Sequence, residues 1–253
     1  MENTPIRFWE IDSLRGIAIV MMIIYHLCYD LYFLGDFPIK IYSLSWTLFQ
    51  RTTASLFLLL VGTSLTISYS KLKSKYQRKE LFFRNLKRGI KILTWSVVIT
   101  IFTFIFLSNG VILFGILHLI GVSIIISFPL LDYKYKNLAL GLIVISMGVY
   151  LSNFTFDTTY LLWLGFEPNS FFSFDYFPIL PWYSVVLIGI FLGNLIYPES
   201  KRRFDIPDFS GNIVSRSLSF LGKHSLKIYL IHQPIIIMLL YALGFANLSI
   251  FWI

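Results

Sequence analysis

Four ionisable residues in the first apolar segment share one face of a predicted helix. They are Asp12, Arg15, His26 and Asp30. At 100° per residue all four project within a stripe about 60° wide. An ionisable group at the centre of a membrane helix costs roughly 2.5–3.5 kcal/mol on insertion scales and marks a functional site by default. The stripe therefore predicts a chemically active face directed into a helical bundle.

His26 is the residue in this stripe best suited to move a proton. The step from Arg15 to His26 corresponds to ~16 Å of helical rise, which places Arg15 near one mouth of the bundle and His26 at or beyond the midplane. Asp30 follows His26 at the i+4 spacing, from which a carboxylate can reach the imidazole, fix its tautomer and raise its basicity. The pattern favours a functional histidine over a structural one.

Further polar residues lie in other apolar segments. Arg51 is placed about two turns into the second segment, at a depth that could meet Asp30. The others are His118 in the fourth segment and Lys223, His224, Lys227 and His232 in the last. Lys223 and His224 also fit snorkelling side chains near the inner interface, whereas His232 is expected to be deep. Together these residues predict a polar tunnel crossing much of the bilayer.

The composition requires lipid as the solvent for these helices. The chain has 253 residues, of which 57% are hydrophobic and 13% charged, whereas a soluble domain carries about 25% charged residues. Apolar runs predict about seven spanning helices, the first of them uncleaved, at 11–34, 44–69, 90–107, 111–131, 138–151, 179–197 and 218–243. The predicted fold is an all-α polytopic membrane bundle forming a single transmembrane domain over 1–253.

Cysteine and histidine usage argues against a metal centre. The single cysteine, Cys28, excludes an internal disulfide and a cysteine-based zinc site. The histidines lack the spacing of a zincin motif. We therefore expect chemistry without a metal.

Loop charge predicts the orientation of the chain. Nine basic residues lie in the 71–91 segment, and later even-numbered loops contain Lys134, Lys136, Lys201, Arg202, Arg203 and Arg216. The opposite loops have Lys40 as their one basic residue. The positive-inside rule then places the N-terminus in the cytoplasm of a multi-pass cell-membrane protein. The 71–91 segment is interpreted as a topology determinant that attracts anionic lipids, rather than as a nucleic-acid site.

Several segments, in order along the chain, resemble the transmembrane acyltransferases. In 15–26 an arginine is followed by a histidine in the first helix, as in acyltransferase family 3. The wider context, Ile11-Asp12-Ser13-Leu14-Arg15-Gly16, is more similar to prokaryotic relatives of heparan-alpha-glucosaminide N-acetyltransferase. Further similar segments are 57–64, 115–121, 177–182 and 222–234.

The resemblance implies transfer of an acyl group, by preference acetyl, from cytoplasmic acyl-CoA to a sugar or amino sugar of a glycan or glycolipid at the outer side. The family's first-helix residues correspond to Arg15 and His26. In the lysosomal enzymes the catalytic histidine lies in the loop after the first helix. Residues 35–43 contain no histidine here, so His26 is the candidate.

Acyl transfer from a thioester needs a base for the acceptor proton and donors for the developing oxyanion. His26 is predicted as the general base or transient acyl carrier, with Asp30 as its orienting group. Arg51 is the preferred oxyanion donor, and His118 and His232 are the weaker alternatives for it. The remaining candidates are Arg15, Asp12, Arg88 and Lys223 for the CoA, and His118, Trp182 and His232 for the acceptor. The expected partners are acyl-CoA, a glycan or lipid-linked sugar and membrane lipids, with a homodimer left open.

The alternative is a transporter or flippase that uses the same buried charges as a proton or substrate relay. The sequence shows no inverted repeat and no obvious break in the seventh helix. The acyltransferase hypothesis is therefore favoured.

Overall fold

The computed structural model describes residues 7–107, 110–156, 158–169 and 171–247. Within these ranges it contains eight α-helices: α1 (Trp9–Gly35), α2 (Leu44–Lys73), α3 (Arg78–Phe106), α4 (Ile116–Ile126), α5 (Tyr135–Leu151), α6 (Ile179–Ile196), α7 (Ile213–Lys223) and α8 (Ser225–Ala242). The predicted all-α membrane fold is confirmed.

Five of the described helices are long and apolar enough to cross a membrane, namely α1, α2, α3, α6 and α8. The predicted fourth and fifth spans correspond to α4 and α5, with 11 and 17 residues. At 1.5 Å per residue α4 rises about 16 Å, well short of a hydrocarbon core of about 30 Å.

The third helix begins earlier than predicted. α3 starts at Arg78 rather than at position 90, so much of the basic 71–91 segment is helical. The reason is a capping box: the Glu80 side chain accepts a hydrogen bond from the Gln77 peptide N–H at 3.2 Å. Such a box satisfies peptide N–H groups that a helix start leaves without partners.

The predicted unbroken seventh helix is wrong, because the chain forms α7 and α8 with a break at His224. The His224 backbone has φ −103° and ψ 13°, and its N–H bonds to the Leu221 carbonyl at 3.1 Å. α7 packs on the first turns of α1, where a side chain at Gly222 would overlap the Asp12 carbonyl. Because of this break, α7 and α8 pack against α1 as two separate helices with different axes.

The described chain packs as two compact units. The first contains α1, residues 44–57 of α2, α7 and α8, and the second contains residues 58–73 of α2 with α3 to α6. In the second unit Gly62 and Gly189 allow α2 and α6 to approach closely, because a side chain at either would overlap backbone of the other helix. Thr63 supports this contact by donating to the Gly189 carbonyl at 3.1 Å. The single-domain assignment over 1–253 stays a prediction.

Within the first unit α8 runs in the same direction as α1. His26 lies beside His232, and Gly35, at the end of α1, lies against Phe245 just after α8. The first and last spans of a membrane protein have the same direction when the total number of spans is odd. The cytoplasmic position of the N-terminus remains a prediction from loop charge.

Cysteine labelling tests this orientation. In a Cys28→Ser background, we expect Lys75→Cys and Lys201→Cys to react with an impermeant maleimide only from the cytoplasmic side, and Glu167→Cys only from outside. Labelling in intact and ruptured cells measures the difference, with the Cys28→Ser protein as the blank. Reaction of positions 75 and 167 from the same side would contradict the topology.

Candidate functional site

Two histidines from the first and last helices meet in the first unit. The ring centroids of His26 in α1 and His232 in α8 are 4.9 Å apart, with an angle of 60° between the ring planes. His26 is half-buried, and His232 is 8% exposed. The Tyr25 ring lies against His26 on another side, with centroids 5.6 Å apart. Both histidines were predicted to be deep in the bundle, but His232 was predicted to bind the acceptor rather than to contact His26.

The hydrogen bonding of His232 defines its tautomer. Its Nδ1 lies 2.6 Å from the Tyr229 carbonyl oxygen. Because a carbonyl oxygen only accepts, Nδ1 carries the proton and donates it. The other nitrogen, Nε2, is buried and has no hydrogen-bond partner among the described residues. When the ring is neutral, Nε2 therefore has an unused lone pair in the interior beside His26.

Asp30 contacts α8 rather than His26. The Gln233 Nε2 donates to both carboxylate oxygens of Asp30, at 2.8 and 2.9 Å, and Asp30 is 4% exposed. The structure does not form the predicted Asp30–His26 contact, since both oxygens point to the neighbouring helix. Asp30 is one turn beyond His26, and Gln233 follows His232. The hydrogen bonds between Asp30 and Gln233 therefore hold α1 and α8 in the register that places His26 beside His232.

A second polar group lies at the start of α1. The Arg15 guanidinium donates to Asp12 Oδ1 at 2.8 Å. Asp12 Oδ2 and the indole nitrogen of Trp9 are buried without a described hydrogen-bond partner. A side chain at Gly222 would contact the Arg15 Cβ. Lys223, which was predicted to bind CoA, is the next residue in the chain and therefore also lies near the start of α1. Trp9 was not among the predicted site residues, although its i+3 spacing from Asp12 puts the two residues on the same face of α1.

Arg51 has no hydrogen bond or ring contact with His26 or His232 in the described part of the chain. Arg51 is exposed on α2, and it forms no hydrogen bond or ion pair with any residue that the structure describes. The predicted contact with Asp30 is replaced by the Gln233 amide. Depth along a helix was predicted from the sequence, but the face that Arg51 occupies depends on how α2 packs. The oxyanion role of Arg51 stays a prediction.

His118 has a local role in the second unit. Its Nδ1 accepts the Gly115 N–H at 3.2 Å, which caps the start of α4. Its Nε2 is 3.4 Å from the Thr100 hydroxyl oxygen, and that hydroxyl donates to the Ile112 carbonyl at 2.6 Å. Both ring nitrogens are thus engaged in holding α3, α4 and their connection together.

The other predicted residues have these positions. The Trp182 ring lies near the start of α6, with its centroid 4.7 Å from that of Phe177. Arg88 lines a small cavity on the second unit. Asp175, a carboxylate that was not predicted from the sequence, accepts the Ile116 N–H at 3.0 Å and caps α4. Over the described ranges no three His, Cys, Asp or Glu side chains gather where they could hold a metal ion.

The helical fold, with five helices able to cross a membrane, defines an integral membrane protein in which two histidines from different helices meet. A family model described as "Heparan-alpha-glucosaminide N-acetyltransferase, catalytic" matches residues 7–234. The chain belongs to this family and is therefore a transmembrane acetyltransferase by class. No curated protein and no solved structure matches it. The matched range includes both histidines and the Asp30–Gln233 pair.

Proposed function

We propose that the protein transfers an acyl group, acetyl by preference, from cytoplasmic acyl-CoA to a sugar or amino sugar at the outer side. Family membership supports acyl transfer. The observation that carries the proposed chemistry is the His26–His232 pair, in which one imidazole has a fixed tautomer and a buried lone pair.

In this proposal His26 is the general base. The acceptor O–H or N–H attacks the thioester carbonyl carbon while His26 takes its proton. The C–S bond then breaks, and the thiolate leaves with the proton from His26, giving the acylated acceptor and free CoA. A positioned base of this kind contributes about 10²–10⁴-fold to the rate.

His232 positions His26 rather than touching the substrate. Its Nε2 lone pair can accept an N–H from the neighbouring imidazole, which leaves the other His26 nitrogen free to take the acceptor proton. Catalytic hydrogen bonds are often long in substrate-free structures and tighten in the complex, which fits the 4.9 Å between ring centroids. This orienting role is the one that a carboxylate has in a Ser-His-Asp triad.

The start of α1 is proposed to hold the CoA end of the donor. Arg15, Asp12 and Lys223 lie there, ~16 Å along α1 from His26. Guanidinium groups bind phosphate through two parallel N–H donors, and bonds of this kind are stronger than neutral ones. Asp12 fixes the Arg15 side chain through their 2.8 Å contact.

Replacing Arg15 tests this assignment. Arg15→Ala should raise the KM for acyl-CoA by about 10-fold or more, because a hydrogen bond to a charged group contributes about 1.5–3 kcal/mol. The KM for the acceptor should change little. Arg15→Lys should restore part of the affinity, since lysine lacks the planar fork.

Arg7→Ala is the matched control, because it removes an exposed cation just before α1. Size-exclusion profiles and thermal unfolding establish that each variant is folded. An unchanged KM for acyl-CoA in folded Arg15→Ala protein would remove Arg15 from the donor site.

Activity of the purified protein tests the function as a whole. With [¹⁴C]acetyl-CoA and a panel of acceptors headed by glucosamine, thiol release and labelled product should both depend on acceptor. The alternative, a transporter or flippase, predicts passage of the sugar across proteoliposomes without thiol release. That result would contradict the acyltransferase proposal.

A further inference from the structure

A cleft in the second unit is lined by none of the residues to which the proposed acyl transfer gives a role. It has a volume of about 400 Å³, within the roughly 300–1,000 Å³ of small-ligand pockets. The cleft is formed where α2 ends, where α3 begins and before α5. Its lining residues are Tyr69, Lys73, Tyr76, Arg78, Leu81 and Asp132.

An adjacent cavity of about 70 Å³ shares two lining residues, Tyr69 and Leu81, with this cleft. Its walls are mainly apolar, with Leu65, Leu72, Phe128 and Leu131 among them, and they also include Arg84 and Arg88. The two cavities form one groove, here called the α2–α3 groove. It combines a cationic rim with an apolar floor.

The single carboxylate in the groove is already satisfied. Asp132 forms an ion pair with Lys73, lies 3.8 Å from Arg78 and accepts the Tyr69 hydroxyl at 2.7 Å. Burial raises the pKa of Asp132, but hydrogen bonds from Lys73 and Tyr69 and the charges of Lys73 and Arg78 outweigh it, so that pKa lies below its ordinary value. Asp132 is therefore ionised, yet the groove retains an excess of positive charge.

Arg84 is the cation best prepared to bind an anion. Its guanidinium carbon lies 3.9 Å from the centroid of the Tyr76 ring. Stacking of this kind uses the flat face of the guanidinium and leaves the N–H donors at its edge available. Arg84 forms no hydrogen bond or ion pair with a residue in the described ranges. Its fork is held in place and has unused donors.

We propose that the α2–α3 groove binds the phosphate headgroup of an anionic phospholipid, with Arg84 and Arg78 at the phosphate. The start of the acyl chains would lie along Leu81 and Phe128. A lipid fits better than a soluble phosphate for two reasons. The floor of the groove is apolar, and the groove lies where two candidate membrane spans end and begin, at the level of lipid headgroups. This inference does not depend on the proposed acyl transfer.

Native mass spectrometry of the purified full chain tests the inference. After incubation with dioleoylphosphatidylglycerol, the wild-type protein should retain the lipid, whereas dioleoylphosphatidylcholine should not be retained. Arg84→Gln should weaken phosphatidylglycerol binding roughly fivefold, the effect of one cation near a membrane surface. Lys79→Gln, which makes the same charge change in the same helix outside the groove, should bind as the wild type does.

Two competitors distinguish the source of the phosphate. Millimolar inorganic phosphate and millimolar CoA should leave the retained lipid unchanged. Displacement by inorganic phosphate would show a free-phosphate site, and displacement by CoA would assign the groove to the donor; either result overturns the lipid proposal. Equal retention by wild type and Arg84→Gln, repeated with Arg78→Gln, would also overturn it.

Discussion

His26→Ala should lower turnover by about 10²–10⁴-fold, the effect of losing a positioned general base. Binding of acyl-CoA should stay nearly intact, because the proposed CoA end of the site is ~16 Å away along α1. Initial rates of acceptor-dependent thiol release give the turnover. Calorimetric titration with acyl-CoA gives the affinity.

Cys28→Ala is the matched control for His26→Ala, since Cys28 lies on the same helix and points about 200° away from His26. It should turn over at the wild-type rate. A wild-type rate for His26→Ala would end the catalytic hypothesis and favour a structural or transport role for the stripe. If His26 carries an acyl label after acid quenching in the absence of acceptor, His26 is a transient acyl carrier rather than a general base.

His232→Ala is expected to have the second-largest effect. Its turnover should fall by roughly 10–100-fold, which is the loss caused by replacing a residue that orients a functional histidine through a hydrogen bond, as at metal sites. The loss should be smaller than that of His26→Ala, because the base remains while its orientation is lost. The KM for acyl-CoA should not change, which separates loss of positioning from loss of donor binding.

The double variant distinguishes a positioning residue from a second, independent catalytic group. If His232 acts through His26, the His26→Ala/His232→Ala enzyme should be no slower than His26→Ala alone. Thermal unfolding of all four proteins controls for stability. Additive losses in the double variant would contradict the positioning role of His232.

The sequence by itself determined the class of fold and the polar stripe of α1. Runs of about 20 apolar residues with few charges require a bilayer, because each buried charge would be costly. The alignment of Asp12, Arg15, His26 and Asp30 follows from helical periodicity alone, a local property. The similarity of ordered segments to an acetyltransferase family was also readable, and the family match over 7–234 confirms it.

The tertiary structure decided which groups meet. Asp30 pairs with Gln233, 203 positions away in the chain, and the neighbour of His26 is His232 rather than Asp30. Periodicity places a residue on a face but not opposite a particular partner. That choice depends on the break at His224 and on the close approach of α7 to α1 at Gly222. Both arise from contacts between distant segments, so only the packed bundle defines the histidine pair.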